Sequence, residues 1–404
     1  MGDAIRSRNS LFSQTFICLF ALALALISVP ADPLDNWTTN RLSTIPNPNG
    51  GLLEAVTYGG GQYVAVGQVV DDDNGFIETS PDGRSWTLRS TNDYSILDLY
   101  DVTYGNNLFV AVGWDYYTGH NIYTSPDGIN WTAHTTAMAN VYGVAYGDGM
   151  YVAVGDGLEL NGTITSNDVY YSTDGTNWTG SDSGATAILR DVAFGNGQFV
   201  AVDAAGYIYP LFTAPRIANG QARGKVSFCN GLFFISAGAG TNLLSTDGLS
   251  WSAVTNNTGA SFGDVIYAAD TYFALGGTNV FSSSDGTNWI RHNLQAPANT
   301  YIIDLATGGR NVVVGGYMAV TFTPYTPIAL VSDPFVALQP SSTFPPRLTL
   351  SGLAGRKYQI EMATNLSPAN WQPLINITLT NGPVVWTDLD ATNSCRFYRA
   401  ALLP

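Results

Sequence analysis

Asp101-Val-Thr-Tyr104, then Phe109-Val-Ala-Val-Gly113, then Ser125-Pro-Asp-Gly-Ile-Asn-Trp131 is the stretch on which the fold turns. It reads as short apolar strands separated by turn residues, with an Asp-Gly hairpin ahead of a tryptophan. The same order stands on either side. Ala55-Val-Thr-Tyr58, Tyr63-Val-Ala-Val-Gly67 and Ser80-Pro-Asp-Gly-Arg-Ser-Trp86 precede it, while Gly143-Val-Ala-Tyr146, Tyr151-Val-Ala-Val-Gly155 and Ser172-Thr-Asp-Gly-Thr-Asn-Trp178 follow. Four more pairs of first and second strands begin at Asp191, Lys225, Asp264 and Asp304, and the second strands recur every 34 to 48 residues. Repeats of roughly 40 to 45 residues with four strands apiece are propeller blades. Runs such as Tyr63 to Val66 do not alternate with polar residues, so these sheets must be covered on both faces.

The expected fold is all-β: a seven-bladed propeller over 32–328, closed by an N-terminal strand, then a small β-sandwich over 335–404. The seventh unit runs to Phe322 without a hairpin or tryptophan, and Asn36-Trp37-Thr38 matches Asn130-Trp131-Thr132. That match predicts that the N-terminus supplies the missing outer strand. A Pro-punctuated stretch from Thr323 to Pro334 reads as the linker between the two domains. Each Asp-Gly pair predicts a type I′ turn, which needs positive φ at both central residues. The fourth unit is degenerate: Gly206-Tyr-Ile-Tyr-Pro210 follows Val202 with no Asp-Gly, which predicts irregular outer strands.

Composition agrees. Only 12% of the 404 residues are charged, about half the share of an ordinary soluble domain. Glutamate occurs four times and lysine twice, against 43 glycines, so the chain is poor in helix formers and rich in turns. A net charge of −15 disfavours nucleic acid and anionic membranes as partners. Residues 1–31 read as a secretory signal peptide: Arg6 and Arg8, an apolar stretch from Phe16 to Val29, then Val29-Pro30-Ala31. The expectation is an exported monomer, periplasmic, secreted or on the cell surface, with no membrane span once the signal is removed. Cys229 and Cys395 fall in different domains and read as free thiols. No phosphate-binding glycine loop, Gly-x-Ser-x-Gly elbow or metal-binding histidine spacing is present, so no cofactor or metal is expected.

The Ser-x-Asp-Gly-x-x-Trp hairpins, centred on Asp82, Asp127, Asp174, Asp247 and Asp285, resemble the Asp-box (BNR-like) repeat of sialidase-type propellers. They differ from that pattern in lacking a residue between Asp and Gly. The resemblance implies structural hairpins on the periphery, where the carboxylate accepts turn N–H groups and the tryptophan wedges between blades. It also raises the alternative of a glycoside hydrolase. Sialidases clamp substrate with three arginines, whereas Arg84, Arg89, Arg190, Arg216, Arg223, Arg291 and Arg310 are scattered here. Fold likeness alone does not transfer activity, so no catalytic residues are assigned and the leading reading is a non-catalytic binding or scaffold module. Gly355-Arg-Lys-Tyr-Gln-Ile-Glu361, Thr364-Asn-Leu366, Trp371 and Phe397-Tyr-Arg399 resemble a C-terminal fibronectin-like module of exported bacterial proteins.

Candidate binding residues lie on the loops between second and third strands, which share one face with the loops entering each blade. Trp114, Asp115, Tyr116, Tyr117 and His120 form an aromatic loop that can stack on a glycan or grip a peptide; the alternative is local packing between loops. Asp71, Asp72 and Asp73 read as a solvated acidic turn, with a hard cation as the alternative. Asp101, Asp191, Asp264 and Asp304 each open an innermost strand. They either ring the channel mouth with negative charge that attracts a basic ligand, or accept N–H groups from the next blade. Lys225 takes the same slot in the fifth unit and interrupts the ring.

Overall fold

The computed structural model describes residues 38–41, 51–69, 74–90, 98–114, 119–157, 167–217, 222–268, 270–292, 300–308, 311–318, 326–332, 337–340, 347–351, 357–363, 371–379, 384–389 and 397–402. The first blade sets the pattern. Gly51–Gly59, Gln62–Val69, Gly75–Ser80 and Thr87–Ser90 form an antiparallel sheet in sequence order. Tyr63, Val64, Ala65 and Val66 are all fully buried. Tyr63 and Ala65 join a cluster with Val313 of the last blade, while Val64 and Val66 join one with Phe109 and Ala111 of the second. Side chains alternate across a strand, so a continuous apolar run here serves two cores, one on each side of its sheet. The cores therefore lie between blades.

The expectation of a seven-bladed propeller is corrected by the sheet topology. Among the described residues six blades are complete, with four strands each; the fourth sheet, Leu189–Gly195, Gln198–Asp203 and Ile208–Leu211, has three. The propeller thus has six full blades, not seven. The fourth unit lacks both the Asp-Gly hairpin and the tryptophan, and Pro210 offers no N–H to a further strand. A short return replaces the outer strand: Ile208 and Ile217 exchange backbone hydrogen bonds, and Ala214 N donates to Pro210 O.

The last full blade joins a strand from before the first blade to three from after the sixth sheet. Thr300–Gly308, Asn311–Met318 and Thr326–Ser332 are followed in the sheet by Thr38–Arg41, in register Thr38↔Val331 to Arg41↔Ile328. Residues 326–332, read from sequence as linker, are thus the third strand. Pro327 is tolerated because it pairs only with Tyr317 and lies outside the four residues that Thr38–Arg41 covers. Trp37, the signal segment, Asp71–Asp73, Asp115–Tyr117 and Cys395 lie outside the described residues.

Neighbouring first strands lie side by side around the axis. Glycine makes that approach tight. At Gly59, Gly105 and Gly308 a Cβ would sit 2.0 to 2.1 Å from the rings of Tyr104, Tyr146 and Tyr58 of the following blade. Tyr63 O–H then donates to Gly308 O at 2.7 Å, and Tyr151 O–H to Gly105 O at 2.5 Å. The repeated aromatic-Gly ending of the first strand is therefore a blade-to-blade joint.

The type I′ expectation also moves. Gly60-Gly61, Asn106-Asn107, Asp148-Gly149, Asn196-Gly197 and Asn230-Gly231, between first and second strands, have φ from 46° to 87° at both positions. Those are the type I′ sites. In the Asp-Gly hairpins only the glycines, with φ of 67° to 75°, are left-handed, because a carboxylate organises the loop instead. Asp127 Oδ1 accepts Ile129 N and Asn130 N at 2.9 Å, and Trp131 Nε1 donates to Gly128 O at 3.0 Å. Asp82, Asp174, Asp247 and Asp285 repeat this arrangement.

Beyond the propeller, two three-stranded sheets form. Ala337–Pro340, Arg347–Ser351 and Val384–Thr387 make one; Gln372–Thr378, Lys357–Ala363 and Phe397–Leu402 make the other. Leu348 and Leu350 of the first share a buried cluster with Tyr358 and Ile360 of the second.

Candidate functional site

The first strands line the central channel, and six of them carry a register shift near their start. The shifts fall between Leu53 and Ala55, Leu99 and Asp101, Val141 and Gly143, Leu189 and Asp191, Arg223 and Val226, and Ile302 and Asp304. A bulge re-aims the extra residue. The residues so placed include Glu54, Tyr100, Tyr142 and Arg190. Tyr100 and Tyr142 stack with centroids 5.4 Å apart and planes at 20°, and the Arg190 guanidinium carbon lies 5.5 Å from the Tyr142 centroid. Gln68 Nε2 donates to Glu54 Oε1 at 2.7 Å. Burial raises the Glu54 carboxyl above its usual range and holds the Tyr100 and Tyr142 hydroxyls protonated.

The four predicted channel aspartates do come together, around Lys225. Asp101 Oδ1 accepts Val102 N and Oδ2 accepts Val144 N of the next blade, both at 2.8 Å. Asp191 Oδ1 accepts Val192 N at 2.9 Å and Oδ2 accepts Val226 N at 2.8 Å. Asp264 Oδ1 accepts Val265 N and the Ser227 hydroxyl, and Oδ2 accepts Leu305 N at 3.3 Å. Asp304 Oδ2 accepts Val56 N at 2.8 Å, which joins the last blade to the first. Each carboxylate is a staple from its own first strand to the next. Lys225, which the sequence suggested would interrupt the ring, belongs to it: Nζ lies 2.6 Å from Asp304 Oδ1.

Four carboxylates act on one ammonium where the first strands converge. The Lys225 side chain is 31% exposed and that of Asp304 10%, so the groups reach solvent yet are walled by protein. Burial raises Asp191 to about 8, with Asp101 adding repulsion and Lys225 opposing it. Burial raises Asp304 to about 7, against the pull of Lys225 and with the push of Asp264. Asp101 is raised by the same cause. Burial disfavours the Lys225 ammonium, but Asp304, Asp264, Asp101 and Asp191 together hold it charged well above the usual lysine range.

Around this mouth, Trp114 N donates to Asp98 O at 2.9 Å, and Trp114 is bridged to Asn140, whose amide donates to Asp156 Oδ2 at 2.6 Å. His120 is half-buried on the same loop. His134 and His292 pair instead with Thr124 and Ser282 hydroxyls. Cys229 is a half-buried free thiol, pushed up to about 12 by burial. Among the described residues, no three His, Cys, Asp or Glu side chains are placed to hold a metal ion, and no helix is long and apolar enough to cross a membrane. Sequence reasoning missed Tyr100, Tyr142 and Arg190. Their signal was available, since Tyr100 and Arg190 directly precede two of the channel aspartates.

Solved structures share this architecture. The chain aligns with PorZ, described as an essential bacterial surface component of the type-IX secretion system of Porphyromonas gingivalis, at TM-score 0.56 and 11% identity over 89% of this chain. The chain is a β-propeller. It also aligns with the extracellular domain of the putative hybrid two component system BT4673 from B. thetaiotaomicron (TM-score 0.51, 10% identity, 90% of this chain). A third match is the Pan2 WD40 domain of Neurospora crassa (TM-score 0.53, 8% identity, 76% of this chain and 98% of that one). This propeller chain spans 59% of the length of the PorZ chain and 58% of the BT4673 chain. No protein-family model and no curated protein matches the sequence.

Proposed function

We propose that the chain is an exported, non-catalytic binding or scaffold module whose ligand, a peptide or glycan, meets the channel mouth over the first four sheets. The observation that carries this reading is the repeated bulge, which brings Tyr100, Tyr142, Arg190 and Glu54 together at one end of the channel. The four channel carboxylates each hold backbone N–H groups of the strands they join. They act as structure first, and lend the mouth negative charge that favours basic segments. The signal-like N-terminus supports export, as do the surface and extracellular settings named for PorZ and BT4673. The Asp-box-like hairpins fit a framework role at the rim.

A combined peptide and glycan array, probed with wild type, Tyr142→Ala and Trp114→Ala, tests the proposal. Binding that Tyr142→Ala weakens at least tenfold, with unchanged thermal melting, is the expected result. If no peptide or glycan on the array is weakened by either substitution, the ligand does not meet the channel mouth and the reading fails.

A further inference from the structure

The missing outer strand of the fourth sheet leaves a cavity, and its chemistry points to a ligand. In complete blades the tryptophan of the outer strand stands beside the second-strand aromatic. Tyr63–Trp86, Phe109–Trp131 and Phe233–Trp251 have ring centroids 6.4, 6.5 and 6.1 Å apart. In the fourth sheet Phe212 takes that place, 6.4 Å from Phe199 and 5.6 Å from Tyr171 of the preceding blade, with planes at 87° and 80°. Phe212 is unlike the tryptophans in two respects. It is 52% exposed, and its φ of 65° places a bulky residue in the left-handed region. Strain of this kind is held only where surrounding structure imposes it, and it gathers at ligand sites.

Beside Phe212 lies a cavity of about 360 Å³ between the third blade and the return loop, lined by Ser181, Asp182, Tyr209, Thr213 and Pro215 among others. That is the lower end of the size range of small-molecule sites, about 300 to 1,000 Å³. Its lining decides what fits. A β-strand does not, because Ile208 already exchanges hydrogen bonds with Ile217, and Pro210 has no N–H while its carbonyl accepts Ala214 N. An anion does not, because Asp182 contributes a carboxylate and the nearby Arg216 guanidinium is held 4.5 Å over the Tyr207 ring. Asp182 Oδ1 accepts Gly184 N at 2.7 Å, and among the described residues its second oxygen has no partner. Ser181 adds a hydroxyl. An exposed aromatic ring and a proline against acceptor and hydroxyl groups suit a neutral ligand with one apolar face and hydroxyls at its edge. We infer that this cavity binds a neutral pyranose, one or two rings long, stacked on Phe212 and hydrogen-bonded to Asp182. The site is separate from the channel mouth.

The test is saturation-transfer NMR and calorimetry on the full chain with methyl glucopyranosides, methyl mannopyranosides, methyl galactopyranosides, maltose, cellobiose and lactose. At least one should bind, with Kd on the order of 1 mM. Phe212→Ala and Asp182→Asn should each weaken that sugar at least tenfold, and Phe212→Trp should retain it. Asp182 is exposed, so Asp182→Asn keeps the test decisive if Phe212→Ala fails to fold. Absence of transfer to every sugar would overturn the inference. So would sugar binding that survives both Asp182→Asn and Phe212→Ala.

Discussion

The rim hairpins and the central channel use the same residue for the same local task, with opposite electrostatic outcomes. Asp127 at the rim and Asp191 in the channel each accept two backbone N–H groups. At the rim those bonds dominate: the Asn130 and Ile129 N–H groups and the Asn130 amide hold Asp127 well below the usual carboxylate range. Asp247 is lowered to about 2 by the Ser250 and Leu249 N–H groups. In the channel, enclosure and crowding with other carboxylates outweigh the same bonds and push Asp191 up to about 8. Identical hydrogen bonds thus relax a carboxylate where solvent screens it and leave it strained where like charges share a narrow space. One ammonium, Lys225, offsets part of that strain.

Removal of Lys225 should have the largest effect. Lys225→Met leaves four carboxylates without a counter-charge, and unfolding at pH 8 should show a loss of about 3 kcal/mol. At pH 5, with Asp191 and Asp304 protonated, chemical denaturation should show a smaller loss. A pH-independent loss would mean that Lys225 contributes packing and not charge.

Wild-type stability should follow both sets of aspartates. A carboxyl raised in the folded state stabilises fully below its usual range, and that contribution is lost as pH rises through the folded value. For Asp304 and Asp191 the loss runs up through about 7 and 8. A lowered carboxyl does the reverse: its contribution is present above the usual range and lost as pH falls, for Asp247 toward about 2. The melting temperature should therefore peak in mild acid and decline on both sides. Asp191→Asn should flatten the alkaline limb and leave the acid limb alone. An unchanged alkaline limb would separate Asp191 from the cluster.

The rim predicts the smallest change. Asp285→Ala removes the acceptor of Thr287 N and Asn288 N on an exposed loop, and should cost about 0.5 kcal/mol near neutrality. Its effect should vanish in strong acid, and a loss as large as that of Lys225→Met would erase the contrast.

Much of this contrast was legible in the sequence. The repeat exposes the sheets, the hairpin aspartates and the four channel positions, because a blade imposes the same residues at the same steps. What escaped depends on neighbours distant in the chain. The Asp-Gly pairs drew the type I′ assignment away from Asn196-Gly197 and Asn230-Gly231, where the backbone has it. Thr326–Ser332 was hidden by Pro327, a mark of linkers until its partner Asn311–Met318 is known. The bulges that aim Tyr100, Tyr142 and Arg190 leave no turn residue to announce them. Phe212 gave no sign of replacing a tryptophan, since only the Phe199 ring beside it reveals the slot.

The most direct test of the central claim is a carbon-detected NMR titration of the aspartate carboxyls in the intact chain. The structure predicts that Asp304 and Asp191 titrate near 7 and 8 while Asp247 titrates near 2. Channel and rim aspartates titrating together near the ordinary carboxylate value, about 4, would contradict it.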